Sequence, residues 1–296
     1  MYLISLRVVL LVVALAVAPV SAVRAAGAPV SAARAADAPG APDAPGAPGA
    51  VPILVLKEHG VGSPALAQPY LDRFVTSAAQ KNQWASAKGQ YVTNRASAEA
   101  FISSQQVHYA ILSLGAFLAF QDKYHYDVIG QVAVKLAGGR RYYLISKSAT
   151  DLAGCRGKAL ASDHTDDVPF IEKVVFAGAI KLGDFQLVQT QRPLQTITKV
   201  LSGGAVCALI DDAQLAELPH LEGAQDISPV WKSEELPPMP VVAFPSASKA
   251  ERQRFQESLP ELCRDGGESA CAEVGIVDLK ATGEADYQAV IKAYAK

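Results

Sequence analysis

A two-lobed α/β fold is predicted by three observations. Short apolar runs alternate with helical patterns from Val51 onward, and the whole alternation restarts after Ser146. The chain beyond Val51 is also long enough for two cores of roughly 100–150 residues each. Strands that alternate with helices imply mostly parallel sheets covered on both faces, because a parallel neighbour needs a crossover helix.

The elements follow in order. Residues 51–56 (VPILVL) read as a buried strand, with a glycine turn at Gly60 and Gly62 behind it. A helix carrying Leu66, Tyr70, Leu71, Phe74 and Val75 comes next, at the spacing of one helical face. Strands at 91–93, 108–114 and 128–136 are separated by helices at 96–104 and from 116. Residues 141–146 make another strand, and the restart follows with a strand at 158–162 and a helix from Pro169 to Ala179. Strands at 185–189 and 205–210 flank a helix at 196–201, and a strand at 239–244 precedes helices at 249–262 and 284–294. The chain thus crosses between lobes near 137–148 and 236–240. Lobe 1 is expected from 51–140 and 239–296, lobe 2 from 141–238, with a ligand cleft between them.

The first fifty residues are of another kind. Arg7 precedes an apolar run from Val8 to Ala18, which Pro19 ends, and small residues follow to Ala26. Residues 1–26 read as a secretory signal peptide, because the run is shorter than the roughly 20 residues a spanning helix needs. Residues 27–50 repeat Ala, Pro and Gly with almost nothing to bury, which marks a disordered linker. The expected location is periplasmic or secreted, after cleavage.

Composition narrows the partners. With 27 Lys plus Arg against 29 Asp plus Glu, the chain lacks the basic excess of a phosphate-backbone binder, so no nucleic-acid partner is expected. Four cysteines in an exported chain point to disulfides. Cys263 and Cys271 flank a Gly266-Gly267 turn, so a local bridge is reasonable, leaving Cys155 with Cys207. The other two pairings stay open on sequence alone.

Several stretches carry a family resemblance. Residues 107–117 (VHYAILSLGAF), Asp151-Leu152-Ala153-Gly154 with Lys158-Ala159-Leu160-Ala161, residues 201–211 (LSGGAVCALID), and Gly275-Ile276-Val277 through residues 286–290 (DYQAV) resemble successive elements of one family. It is the type 2 periplasmic binding proteins, in the phosphate/phosphite/phosphonate branch of ABC-transporter substrate-binding proteins. The resemblance implies the two-lobed type 2 fold, a small polar solute, an ABC permease as partner, a monomer and no cofactor. Where that branch has a Ser/Thr-rich glycine turn that holds the anion, this chain has Asp163-His164-Thr165-Asp166-Asp167. Carboxylates there repel a phosphonate dianion. Ser113-Leu114 replaces the branch's Gly-Pro, and His108 and Val206 stand where Asp is common. The fold carries over; the phosphonate ligand does not.

Candidate ligand-binding residues lie where strands end at the cleft. His59 and Ser63 belong to the turn after the first strand, where imidazole and backbone amides can face a ligand; a surface histidine is the plain alternative. Asn94 ends the second strand, where helix capping is the commoner role. Ser113 and Gly115 let backbone amides approach closely. His164 and Thr165 sit in the acidic turn, whose donor atoms suit a divalent cation or an ammonium, against the plainer reading of a solvated capping turn. Asp211 follows a buried strand and either meets a ligand donor or caps the next helix. No catalytic and no metal residue is assigned. Gly-x-Ser-x-Gly, the phosphate loop and His-Glu-x-x-His are all lacking, so the expectation is a binding protein rather than an enzyme. A sensory or accessory protein on the same scaffold and a cleft enzyme are the alternatives.

Overall fold

The computed structural model describes residues 49–59, 64–135, 138–264 and 266–296. The predicted signal peptide, nearly all of the predicted linker, and Ser63 lie outside the described residues. The first lobe begins with β1 (Ala50–Leu56), α1 (Pro64–Asn82), β2 (Ser86–Val92), α2 (Arg95–Ser104), β3 (Tyr109–Leu112), α3 (Leu114–Tyr124) and β4 (Asp127–Val134). The second lobe holds β5 (Tyr142–Ser146), α4 (Leu152–Cys155), β6 (Ala159–Ser162), β7 (Gln186–Gln189), α5 (Pro193–Leu201), β8 (Cys207–Asp211), α6 (Asp212–Glu217) and β9 (Ser228–Lys232). The chain then returns with β10 (Met239–Ala243), α7 (Lys249–Ser258), α8 (Glu268–Glu273), β11 (Ile276–Ala281) and α9 (Gln288–Ala295).

Two sheets result, ordered β11-β4-β10-β3-β1-β2 and β7-β6-β8-β5-β9. Both are mixed. β1 pairs in parallel with β2 and β3, and β6 with β7 and β8, as the crossover helices require. β10 enters from the second lobe antiparallel to β3 and β4, and β11 adds antiparallel to β4. β5 likewise runs against β8 and β9. β9 and β11 escaped the sequence pattern, being short or exposed at a sheet edge, with Pro229 inside β9. The helix predicted over 169–179 shrinks to a π-helical turn at Phe170–Val175, because the backbone turns left-handed at Ala177 and Gly178. The helix predicted over 249–262 stops at Ser258, ahead of Pro260, which cannot donate an intrahelical bond.

Side chains alternate between faces along the strands, and the cores follow that alternation. Val51 and Ile53 face α1 and α7, packing on Leu71, Phe74, Val75 and Phe255. Leu54 and Leu56 face the other way, onto Ala98 and Phe117. That second cluster continues through Tyr142 and Phe170 into Leu144, Leu160, Ile171 and Leu209, so one apolar core passes from lobe to lobe. On the far side of the second sheet Ile145, Ala208 and Ile210 pack on Ile197 and Val200 of α5. Two disulfides staple the chain, Cys155–Cys207 from the end of α4 to the start of β8 and Cys263–Cys271 before β11.

The two crossings run side by side. Leu236 N–H donates to Arg140 O at 2.8 Å, and Arg140 Nε donates to Leu236 O at 2.7 Å. Tyr142 N–H donates to Ser233 Oγ at 2.9 Å, and Ser233 N–H to Tyr142 O at 2.9 Å. Asp212 Oδ1 accepts from both Arg140 N–H and Arg141 N–H, which fixes the crossing to the start of α6. Gly138 is required here: its φ is +75°, and a Cβ on it would lie 2.0 Å from Asp211 Oδ2.

Candidate functional site

The carboxyl end of β1 delivers three ionisable residues in succession, Lys57, Glu58 and His59, to the space between the sheets. From the second lobe come the turn after β6, with His164, Asp166 and Asp167, and the end of β8, with Asp211. Between them lies an inner chamber of about 50 Å³, lined also by Arg95, Ser113, Gly115, Arg140, Tyr142 and Phe170. An outer chamber of about 420 Å³ opens beside it, lined by Lys57, His59, Asp211, Gln214 and Glu217, with Leu194, Ile197 and Leu221 as its apolar wall. Lys57, His59 and Asp211 belong to both chambers.

Arg95, the first residue of α2, is the hub of the inner chamber. Its Nε donates to Glu58 Oε1 at 2.6 Å, its Nη2 reaches Glu58 Oε2 at 3.3 Å, and the same Nη2 meets Asp167 Oδ2 at 2.7 Å across the lobe boundary. Burial pulls the Arg95 pKa down, but Glu58 and Asp167 more than reverse it, so the guanidinium is held charged. Ser113 Oγ donates to Glu58 Oε2 at 2.8 Å instead of capping α3. A Cβ on Gly115 would stand 3.2 Å from Arg95 Nη2, so a small residue keeps this corner open for the guanidinium.

The second lobe's side is a buried hydrogen-bond chain. Gln214 Oε1 accepts from Asp211 N–H at 2.8 Å, which fixes which end of the amide is oxygen. His164 Nε2, 2.8 Å from that same oxygen, is therefore the donor, and the neutral ring carries its proton there. Gln214 Nε2 and Thr196 Oγ1 both donate to Asp163 Oδ1 at 2.9 Å. His164 Nδ1 is buried and has no hydrogen-bond partner among the described residues. His59 stands against this ring, centroids 4.5 Å apart, with its Nε2 3.6 Å from Asp166 Oδ1. Burial first, and then the neighbouring His164, push the His59 pKa down, so it is neutral at pH 7. Burial lowers the Lys57 pKa, against the pull of Asp211 and Asp212, and raises that of Asp211. The Lys57 ammonium has no ion-pair partner among the described residues.

Of the predicted ligand-binding residues, His59, Ser113, Gly115, His164 and Asp211 converge on the chambers. Asn94 does not line them: its side chain accepts from Ser97 N–H at 2.8 Å and caps α2. Thr165 is buried beside the cleft without lining either chamber. Lys57, Glu58 and Arg95 were not singled out from sequence. The signal for Lys57 and Glu58 was the run of three ionisable side chains, ending in His59, that closes a buried strand, a position where solvated charge is unexpected; Arg95 left no such signal.

Two sheets joined by paired crossings, with a charged cleft between them, define a two-lobed binding protein of the type 2 periplasmic class. The chain belongs to the periplasmic substrate-binding proteins of phosphonate ABC transporters, whose family its residues 84–287 match. Similar solved structures include a binding-protein component of an ABC phosphonate transporter from Pseudomonas aeruginosa. It is 15% identical with a TM-score of 0.61, over 81% of this chain and 84% of that one. A Xanthomonas citri protein bound to ATP is 11% identical with a TM-score of 0.66, over 83% and 96%. PhnD1 of Prochlorococcus marinus, in complex with methylphosphonate, is 9% identical with a TM-score of 0.62, over 83% and 97%. These identities speak for the fold alone. No curated protein matches the sequence. Among the described residues no helix is long and apolar enough to cross a membrane.

Proposed function

We propose that the chain is an exported solute receptor for an ABC importer, closing residues 51–140 with 239–296 against residues 141–238 on a small zwitterionic solute. Export would use a cleaved signal peptide at 1–26, and a permease would read the closed monomer. The observation that carries this reading is the charge pattern of the outer chamber. Lys57, with no ion-pair partner among the described residues, brings a cation from the first lobe, and Asp211 and Glu217 bring carboxylates from the second. A dianion alone meets those carboxylates, whereas a molecule with an acidic head and an ammonium satisfies both sides. The apolar wall of Leu194, Ile197 and Leu221 suits a short alkyl spacer between the two groups. Aminoalkylphosphonates therefore fit better than methylphosphonate or inorganic phosphate. His59 borders the solute, and His164, Ser113 and Gly115 shape the inner end of the cleft. Closure follows from contacts made only when both lobes touch the ligand.

Calorimetric titration of the full chain with 2-aminoethylphosphonate, methylphosphonate, phosphate and glutamate tests this. The zwitterions should bind at least tenfold more tightly than phosphate. Lys57→Ala should weaken them roughly thirtyfold, the cost of a charged contact worth about 2 kcal/mol. Equal binding of all four, or indifference to Lys57→Ala, ends the reading.

A further inference from the structure

Three groups that ordinarily ligate metal ions meet where the lobes touch. Glu58 and His59 from the end of β1 and Asp166 from the turn after β6 each offer one donor atom, all within 4.8 Å of one another. Two of the three lie at a bonding distance for a shared ion. Tetrahedral ligands at roughly 2.0–2.2 Å from a metal stand about 3.3–3.6 Å apart, and His59 Nε2 is 3.6 Å from Asp166 Oδ1.

A separate observation points to a cation. The Asp211 amide orients Gln214, Gln214 holds the His164 proton on Nε2, and a lone pair is left on the buried Nδ1. His164 is 4% exposed and lines the same inner chamber as the three groups, its ring against His59. A buried acceptor with no donor is costly unless something electrophilic meets it. Outer hydrogen bonds also hold the chamber's side chains in place, as they do around bound metal ions, and Gln214 fixes the His164 ring. Glu58 is similarly braced, by Ser113 and Arg95, and the Arg95 charge is itself balanced by Asp167.

We propose that Glu58, His59 and Asp166 bind one divalent transition-metal ion that bridges the lobes, with His164 Nδ1 the unpartnered acceptor of the same chamber. One imidazole beside two carboxylates favours zinc-like ions over magnesium or calcium, which prefer oxygen alone. The ion joins β1 of one lobe to the turn of the other, so it draws the cleft shut from the inner chamber and leaves the outer chamber for an organic solute. The inference goes beyond the zwitterion reading and does not depend on it.

The test titrates the full chain, stripped with chelator, with zinc chloride and with magnesium chloride by calorimetry. One zinc per chain at micromolar affinity or tighter is expected, with magnesium at least a hundredfold weaker. Asp166 is exposed, so Asp166→Asn leaves the fold intact, as an unchanged melting temperature in chelator will report. It should weaken zinc at least tenfold, as should His59→Gln, whereas His125→Gln and His220→Gln should not. Cobalt substituted for zinc should give visible absorption of nitrogen-ligated cobalt that changes on His59→Gln. No zinc bound at 100 µM, or wild-type affinity in Asp166→Asn and His59→Gln together, overturns the proposal. Titrating the metal-free chain with 2-aminoethylphosphonate separates the two readings, because solute binding without zinc affinity removes the metal site alone.

Discussion

Asp167→Asn isolates the contact that ties the lobes together while sparing everything around it. Asn keeps an oxygen to accept from Phe170 N–H, now at 3.0 Å, and from Tyr294 OH, and Arg95 keeps its pair with Glu58. What goes is the 2.7 Å bond from Arg95 across the lobe boundary, because an Asn that accepts from Phe170 N–H turns its amide NH2, a donor, toward the guanidinium. Hydrogen bonds to charged groups contribute about 1.5–3 kcal/mol. Because the Arg95 side chain is 28% exposed, solvent screening brings the expected loss to about 1–2 kcal/mol. That corresponds to a closed-to-open ratio lowered roughly five- to thirtyfold. Small-angle X-ray scattering of the ligand-free protein should show a larger radius of gyration for Asp167→Asn than for wild type. Arg95→Leu should do worse, because it leaves Glu58 and Asp167 buried and facing each other without their cation, at about 3–5 kcal/mol for breaking such a pair. Identical scattering curves for wild type and Asp167→Asn, with unchanged urea midpoints for both variants, would refute the reasoning.

Three further outcomes are expected. Gly138→Ala should cost at least about 2 kcal/mol in urea unfolding, more than Gly203→Ala. Both glycines have positive φ, but only at Gly138 does a Cβ strike Asp211, so equal losses count against that contact. Replacing the cysteines pairwise by alanine should cost about 4 kcal/mol for Cys155–Cys207 and about 2.5 kcal/mol for Cys263–Cys271, from loop-closure entropy. Their sequence separations of 52 and 8 set the order, and denaturation curves showing the reverse order would contradict it. His59 has a depressed pKa when folded, so the unfolded chain takes up its proton near pH 6.5 and the folded chain only at lower pH. Above about pH 6.5 both states are neutral and the effect vanishes; as pH falls through the window, stability is lost. Wild type should therefore lose more stability than His59→Gln between pH 7.5 and pH 5, and parallel curves would exclude this account.

Much of the fold was legible because burial on both faces of a strand leaves an apolar run that survives any context. Residues 51–56 and 205–210 show this, the first matching β1 closely and the second shifted by one or two positions to β8. Edge strands give no such run, which is why β9 and β11 left little trace. The antiparallel entry of β10 depends on where a distant segment docks, and local periodicity carries no record of it. The site was legible in part for a similar reason. Glycine and serine at a strand's end mark a close approach whatever the ligand, so Ser113 and Gly115 could be read. Arg95 acts through partners thirty-seven and seventy-two positions away, and no spacing rule links them. Asn94 was the reverse case, a polar residue at a strand end whose local duty, capping α2, accounts for it fully.

The last helix has a mechanical consequence. α9 follows Tyr287, which is sunk into the first lobe and donates to Pro238 O, yet its far end meets the second lobe, where Lys173 Nζ donates to Tyr294 O at 3.0 Å. The halves are therefore moored through α9 as well as through the paired crossings. On the hinged reading proposed above, that berth would have to be cast off as the halves part. Gaping would then be a sequence of two events, and the dwell of a captured molecule would be governed by the slower one.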